Sequence, residues 1–245
     1  MVRSFLVRGM LCGLVAGLVV FGLARAYGEP AIAGAIGIEE QLSHLSGASE
    51  HGPEIVSRDV QAGWGLFVGV MVYSTALGGL FSLLCAYAWG RMGRLGPRAS
   101  AALLASAGFV AVYLVPFLKY PANPPPVGNP ETIGYRTALY FGMIAIAVVA
   151  MVASVNLGRA LYRRWGGWNA SIAGGLCFLA LAAAASWLMP AIDEVPDGFP
   201  ATLLWQFRTV ALGLQLAEWT ALGLLFGWLT ERHVAAPAPI GRSDR

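Results

Sequence analysis

Charged residues are scarce in this 245-residue sequence, and lysine is almost absent. Only 12% of the residues are charged, and the sole lysine is Lys119, which follows a leucine. A P-loop places its lysine directly after a glycine, so the chain cannot host that phosphate-binding motif. The patterns G-x-S-x-G, H-E-x-x-H and C-x-x-C are also absent, which argues against the common hydrolase, metalloprotease and redox classes. We therefore predict that the chain is not an enzyme and holds no cofactor.

The basic residues and the cysteines argue against two further classes. The net charge of +3 comes from short basic clusters between apolar runs, so we expect no nucleic-acid partner. The 3 cysteines, Cys12, Cys85 and Cys177, all lie inside apolar runs. Their spacing fits neither a disulfide framework nor a zinc knuckle. We interpret them as small apolar residues of packed helices.

Apolar residues, by contrast, are abundant and occur in long runs. They make up 57% of the chain, and the mean hydropathy is +0.65. Since lipid permits only helices and closed barrels, these runs predict an all-α integral membrane protein with about six transmembrane helices in three hairpins. We expect one membrane domain over 1–233 and a disordered tail over 234–245. The predicted spans are 5–27, 62–89, 99–118, 137–158, 169–189 and 209–230.

The distribution of basic residues predicts the orientation. One set of connections holds 11 of the 16 Lys and Arg residues: Arg3, Arg8, Arg91, Arg94, Arg98, Arg159, Arg163, Arg164, Arg232, Arg242 and Arg245. By the positive-inside rule this set is cytoplasmic, which puts both termini inside. The first span also resembles a signal peptide with a cleavage site after Ala26, and that alternative stays open.

Acids and histidines collect in the longest connection on the opposite side. The segment 39–59 holds His44 and His51 together with several carboxylates. Imidazole and carboxylate ligands suit a transition metal, although a solvated loop explains the same composition. The candidate metal ligands across these connections are His44, His51, Glu29, Glu39, Glu40, Glu50, Glu131, Glu194 and Asp197.

Each predicted outer loop also carries an acid followed by an arginine near the start of the next span. These pairs are Glu54 with Arg58, Glu131 with Arg136, and Asp197 with Arg208. Prolines stiffen the second and third loops, or simply end the helices there. We interpret Arg58, Arg136 and Arg208 as candidate ion-pair or gating residues.

Two polar residues fall inside predicted spans. Glu218 lies near the middle of the last span, and Asn156 lies in the fourth. An ionisable residue at membrane depth is a functional candidate by default, while helix packing is the plainer explanation.

Four segments carry a family resemblance: "ARAYGEPAIAGAIGIEE", "VSRDVQAGWGL", "YPANPPPVGNPETIGYRT" and "EVPDGFPATLLWQFRTVALGLQ". With these segments the chain resembles the CbtA family of predicted cobalt transporter subunits, over about residues 1–233. The resemblance implies a bacterial inner-membrane protein that takes up cobalt for cobalamin synthesis. It also implies a partner, CbtB, with a single span and a histidine-rich end.

We therefore expect a permease subunit for a divalent transition metal, with Co²⁺ as its cargo. Acids on the outer side would gather the ion, and Glu131→Gln would lower its accumulation. A docking subunit for another permease is the first alternative, and a membrane enzyme is the second.

Overall fold

The computed structural model describes residues 2–46, 56–93, 95–125 and 127–235. Within these ranges the chain is helical and contains no strand. Five helical runs are long and apolar enough to cross a membrane: Val2–Gln41, Arg58–Ala88, Pro97–Lys119, Pro130–Leu188 and Ala201–His233. The prediction of an all-helical membrane protein is thereby confirmed.

The first run continues far beyond the predicted span 5–27. Helix α1 (Val2–Leu23) passes through a π-helical turn at Ala24–Gly28 directly into α2 (Glu29–Ser46). Pro30 follows this turn, and it has no N–H for the Ala26 carbonyl, so the wider turn accommodates the proline without ending the helix. The prediction of a loop from residue 28 onward was therefore wrong.

Two more runs contain π-helical turns. A short helix α3 (Arg58–Val60) leads through the turn Gln61–Gly65 into α4 (Leu66–Ala88). Helix α5 (Pro97–Gly108) leads through the turn Phe109–Leu114 into α6 (Val115–Lys119). Pro116 follows that second turn, as Pro30 follows the first.

Helix α7 (Ile133–Leu188) is a hairpin and not a rod. Its 56 residues are interrupted at Gly166, where φ is 73° and ψ is 166°. A Cβ added at Gly158 would lie 3.3 Å from the Ala170 carbonyl oxygen, and one added at Gly142 would lie 3.8 Å from Met189. The arms 133–165 and 167–188 therefore run antiparallel, and they correspond to the fourth and fifth predicted spans. The 159–168 connection is helical except at its turn, so its arginines lie on helix.

The last helix is α8 (Ala201–Ala235). The chain packs as two compact units: Met1–Gly22, Ser57–Ser106 and Leu216–Arg245 form the first, and Leu23–Val56 with Ala107–Gln215 form the second. The single membrane domain stays a prediction, and residues 236–245 of the predicted tail lie outside the described ranges.

Close backbone contacts hold the first unit together. Gly9 and Gly13 of α1 face Gly78 and Ser74 of α4 so closely that an added Cβ would overlap the opposite backbone. Gly227 of α8 faces α5 in the same way. Small residues at helix crossings let backbones approach, which replaces the hydrophobic effect that lipid does not supply.

In the second unit, apolar side chains from both arms of α7 pack against the helix that ends at Lys119. The buried cluster comprises Ala111, Val115, Met143, Ala147, Ala150, Phe178, Ala182 and Ala185. This packing fixes the two loops that follow the helix ends, 120–129 after α6 and 189–200 after α7.

Candidate functional site

Two loops of the second unit meet where α6 and α7 end. We call 120–129 the proline loop and 189–200 the acidic loop. The Tyr120 hydroxyl donates a hydrogen bond to the Pro190 carbonyl at 2.8 Å, which ties the first residue of one loop to the other. The Val127 N–H donates to the Pro124 carbonyl at 2.9 Å and closes a turn. The loops thus have defined conformations, as their prolines led us to expect.

Glu194 of the acidic loop is the centre of the polar contacts. Its Oε2 accepts from the Asn129 N–H at 2.8 Å, and its Oε1 accepts from the Thr132 hydroxyl at 2.6 Å. Arg136 Nε lies 3.2 Å from Oε2 and completes an ion pair. Every contact joins the acidic loop to the segment that starts α7. The predicted pairing of Arg136 with Glu131 was wrong, since Glu131 is exposed and its N–H caps the turn by donating to Asn129.

The Arg136 guanidinium packs directly against the backbone of a glycine, Gly128. Gly128 has φ of 126°, a conformation essentially confined to glycine. A Cβ at this position would lie 2.9 Å from Arg136 Cζ and would overlap Nη1. Arg136 also donates through Nη2 to the Asn129 carbonyl at 3.1 Å. Only glycine therefore leaves room for the guanidinium to reach Glu194.

Arg208 near the start of α8 holds the proline loop from the other side. Its Nη2 donates to Asn123 Oδ1 at 2.8 Å, and its Nε donates to the Ala122 carbonyl at 3.3 Å. Asp193 is close enough for its charge to act on this guanidinium. Asp197 is exposed on the acidic loop, and its pairing with Arg208 stays a prediction.

These loops surround a cleft of about 470 Å³. Asp193, Glu194, Arg136 and Arg208 line its polar part, and Phe117 and Tyr140 belong to its apolar part. Two carboxylates and two guanidinium groups therefore face one space. Such an arrangement keeps Glu194 partnered while no cation is bound.

The contacts favour the ionised form of Glu194. The pKa of Glu194 is lowered from its ordinary value, first by the Thr132 hydroxyl, then by the Asn129 N–H and by the charge of Arg136. Hydrogen bonds to the charged form lower the pKa of a carboxyl group. Glu194 is thus a carboxylate at neutral pH.

Of the remaining predicted ligands, those whose side chains the structure describes do not line this cleft. Glu29 is buried at the start of α2, whereas Glu39 and Glu40 are exposed near its end. His44 belongs to α2 but its side chain is not described, and Glu50 and His51 lie outside the described ranges. Arg58 is the first residue of α3. Among the described residues, no group of three or more His, Cys, Asp or Glu could hold a metal ion.

Several residues that hold Glu194 and Arg136 in place were not singled out as site residues from the sequence. Thr132, Asn129 and Gly128 were missed, although the "GNPET" segment carries the pattern of an Asn cap before a proline-started turn. That pattern predicts the turn, but it does not predict which distant carboxylate will dock on it.

The two polar residues of the predicted spans have different surroundings. Asn156 is exposed on α7. Glu218 is 1% exposed in the first unit, and its Oε2 accepts from the Ser74 hydroxyl at 3.1 Å. A functional role for Glu218 stays a prediction.

Comparison with known proteins gives a result for the family only. The search of curated proteins and the search of solved structures gave no match. The model of the CbtA family, described as a probable cobalt transporter subunit, matches residues 2–231. This match covers nearly the whole chain, including α1, both loops of the cleft and most of α8. The chain therefore belongs to the CbtA family of probable cobalt transporter subunits.

Proposed function

We propose that the chain is the membrane-embedded permease subunit that admits Co²⁺, and that the cleft between the proline loop and the acidic loop is the entrance. We place it in a bacterial inner membrane with both termini cytoplasmic, where its cobalt would serve cobalamin synthesis. The observation that carries the proposal is the Arg136–Glu194 ion pair, at 3.2 Å, which ties the two loops together beside Asp193.

The mechanism follows from competition for a carboxylate. A divalent cation near Glu194 attracts its oxygens more strongly than one guanidinium does, because Coulomb energy scales with charge. The cation would displace Arg136, weaken the link between the acidic loop and the proline loop, and so open the entrance. Arg136 would return when the ion leaves.

The small number of ligands suits passage rather than storage. Asp193, Glu194 and the Asn123 amide oxygen offer fewer donors than the six that a divalent ion commonly holds. The ion would therefore keep part of its water. Conduction requires binding that is weak enough to release the ion.

The partner and the energy source belong to the same proposal. A CbtB-like subunit with a histidine-rich end could deliver the ion, since imidazole suits borderline transition metals. No P-loop is present, so the membrane potential is the available driving force. It supplies about 2.3 kcal/mol per charge per 100 mV.

The test is Co²⁺ entry into liposomes that contain the purified chain and a dye quenched by Co²⁺. We expect Glu194→Gln to lower the initial rate about tenfold or more, because the variant removes the carboxylate charge that attracts the ion. The matched control is Glu231→Gln, which also breaks an Arg–Glu pair, with Arg98 at 2.5 Å, but in the first unit. Equal rates for the two variants would refute the entrance.

The same experiment separates the alternatives. Entry only when a CbtB-like partner is present would make the chain a component that needs its partner. No entry in either case would favour the docking subunit. Conversion of an added substrate without movement of metal would favour the membrane enzyme.

A further inference from the structure

Glu218 is a buried carboxyl group that the proposed entrance does not use. It is 1% exposed, and its Oε1 has no hydrogen-bond partner among the described residues. Its Oε2 accepts one hydrogen bond, from the fully buried Ser74 hydroxyl. One oxygen is thus bonded to a neutral donor and the other is bonded to nothing, in a place that water does not reach.

Among the described residues of the first unit, no ion pair joins Glu218 to a cation. The chain has no charged residue on α1 between Arg8 and Arg25, and none on α4. On α5 the nearest basic residue to this part of the unit is Arg98, which is paired with Glu231 on α8. The other titratable side chains of these helices are Arg3, Arg208, Arg232 and His233 towards the helix ends, the buried thiols Cys12 and Cys85, and the exposed phenols Tyr73 and Tyr87.

The helix packing keeps the carboxyl group dry. Ser74 is pressed against α1, because Gly13 lies on its backbone and a Cβ at Gly17 would lie 2.9 Å from Ser74 Cβ. On α8 the neighbouring Trp219 is buried. Its ring packs edge-to-face against the ring of Phe81, with the two ring centroids 6.4 Å apart. Water can reach Glu218 only if these helices separate.

These surroundings decide between a proton and a metal ion as the ligand. A buried carboxylate with a single hydroxyl donor is an unpaired charge. The free-energy cost of removing it from water is far larger than that of the neutral acid. A divalent ion would need several more donors than this carboxyl group and one hydroxyl. A proton needs only the unpartnered oxygen.

We infer that Glu218 is an intramembrane proton-binding site, protonated in the closed packing of α1, α4 and α8. When the helices separate, the proton passes from the carboxyl oxygen to an incoming water, and the carboxylate keeps the Ser74 hydrogen bond. When they close again, the carboxylate takes a proton back from water. Combined with the proposed function, on which this step rests, one proton leaves for each Co²⁺ that enters.

The first experiment tests the site without any cobalt. Infrared difference spectra of the full chain in liposomes, between wild type and Glu218→Gln, should show one protonated-carboxyl C=O band that the variant lacks. Ser74→Ala should move this band to higher frequency without removing it, because the carbonyl loses a hydrogen bond. A wild type without the band overturns the site, and so does stoichiometric Co²⁺ binding that Glu218→Gln abolishes.

The second experiment tests the exchange. A pH-sensitive dye should report about one proton leaving wild-type liposomes for each Co²⁺ that enters. Cobalt entry without proton movement overturns the exchange and leaves the proposed function intact. Absence of cobalt entry counts against the proposed function, and the infrared band still decides whether Glu218 holds a proton.

Discussion

Glu194 has a lowered pKa because of three groups, the Thr132 hydroxyl, the Asn129 N–H and the Arg136 guanidinium. Its contacts with these groups are also the means by which the proline loop and the acidic loop are joined. The protonation of one side chain is therefore linked to the stability of the whole entrance.

The lowered pKa of Glu194 gives this linkage a sign. Because the unfolded chain takes up the proton at higher pH than the folded chain, the stabilisation is complete above the ordinary glutamate pKa. It is lost as the pH falls through the lowered pKa of the folded protein. We expect the melting temperatures of wild type and Glu194→Gln, measured in detergent, to differ most near neutral pH and to converge in acid.

A second variant identifies the cause of this dependence. Thr132→Val keeps the shape of the side chain and removes the hydroxyl that lowers the pKa of Glu194 most. The convergence should then be complete at a higher pH than in the wild type. A difference between wild type and Glu194→Gln that grows in acid would contradict the assignment.

At the scale of the element, α7 shows how one backbone angle changes the topology. A straight helix of 56 residues would be about 84 Å long, nearly three times the hydrocarbon thickness of about 30 Å. The left-handed φ at Gly166 reverses the chain, and each arm is then long enough for one crossing.

The hairpin predicts which ends of α7 share a side of the membrane. In intact spheroplasts, a membrane-impermeant maleimide should label Glu131→Cys and Ala191→Cys but not Arg164→Cys. All three positions are exposed, so packing does not hide them. The native thiols Cys12 and Cys85 are buried and Cys177 is partly exposed, so the wild-type chain is the background control. Labelling of Glu131→Cys without Ala191→Cys would indicate a single crossing.

The long apolar helices were largely predictable from the sequence. Runs of 20 or more apolar residues have few alternatives in lipid, and the Gly9, Gly13 and Gly17 spacing is typical of close helix contacts. The length of the first helix was not predictable from hydropathy. Its continuation through Pro30 depends on a π-helical turn, which is a matter of backbone hydrogen bonding and not of polarity.

The entrance was only partly predictable, because its contacts join residues far apart in the chain. Glu131 and Arg136 are near neighbours and have opposite charges, which favoured their pairing. Glu131 instead lies in the turn before α7. The acid that pairs with Arg136 is Glu194, which lies 58 positions further along the chain, in the loop after α7. Sequence proximity predicted the right loops and the right arginine, but the wrong acid.

At the scale of the whole molecule, the sequence places 11 of 16 basic residues in one set of connections, which predicts a fixed orientation in the membrane potential. A cation that crosses such a protein inward does so down the potential. How much it accumulates depends on the net charge moved in each cycle. The net charge moved in each cycle therefore tests whether the proposed entrance works together with the proposed proton site at Glu218.

The two possible stoichiometries differ enough to be measured. If Co²⁺ enters alone, two charges move and 100 mV supplies about 4.6 kcal/mol, which supports about 2,000-fold accumulation. If one proton leaves with each ion, one charge moves, and about 40-fold accumulation follows at equal pH on both sides. We expect the accumulation of radioactive cobalt in liposomes under a potassium diffusion potential to vary with the potential as it should when one charge moves per ion. A two-charge slope would mean that Glu218 keeps its proton throughout the cycle, and Glu218 would then serve helix packing alone.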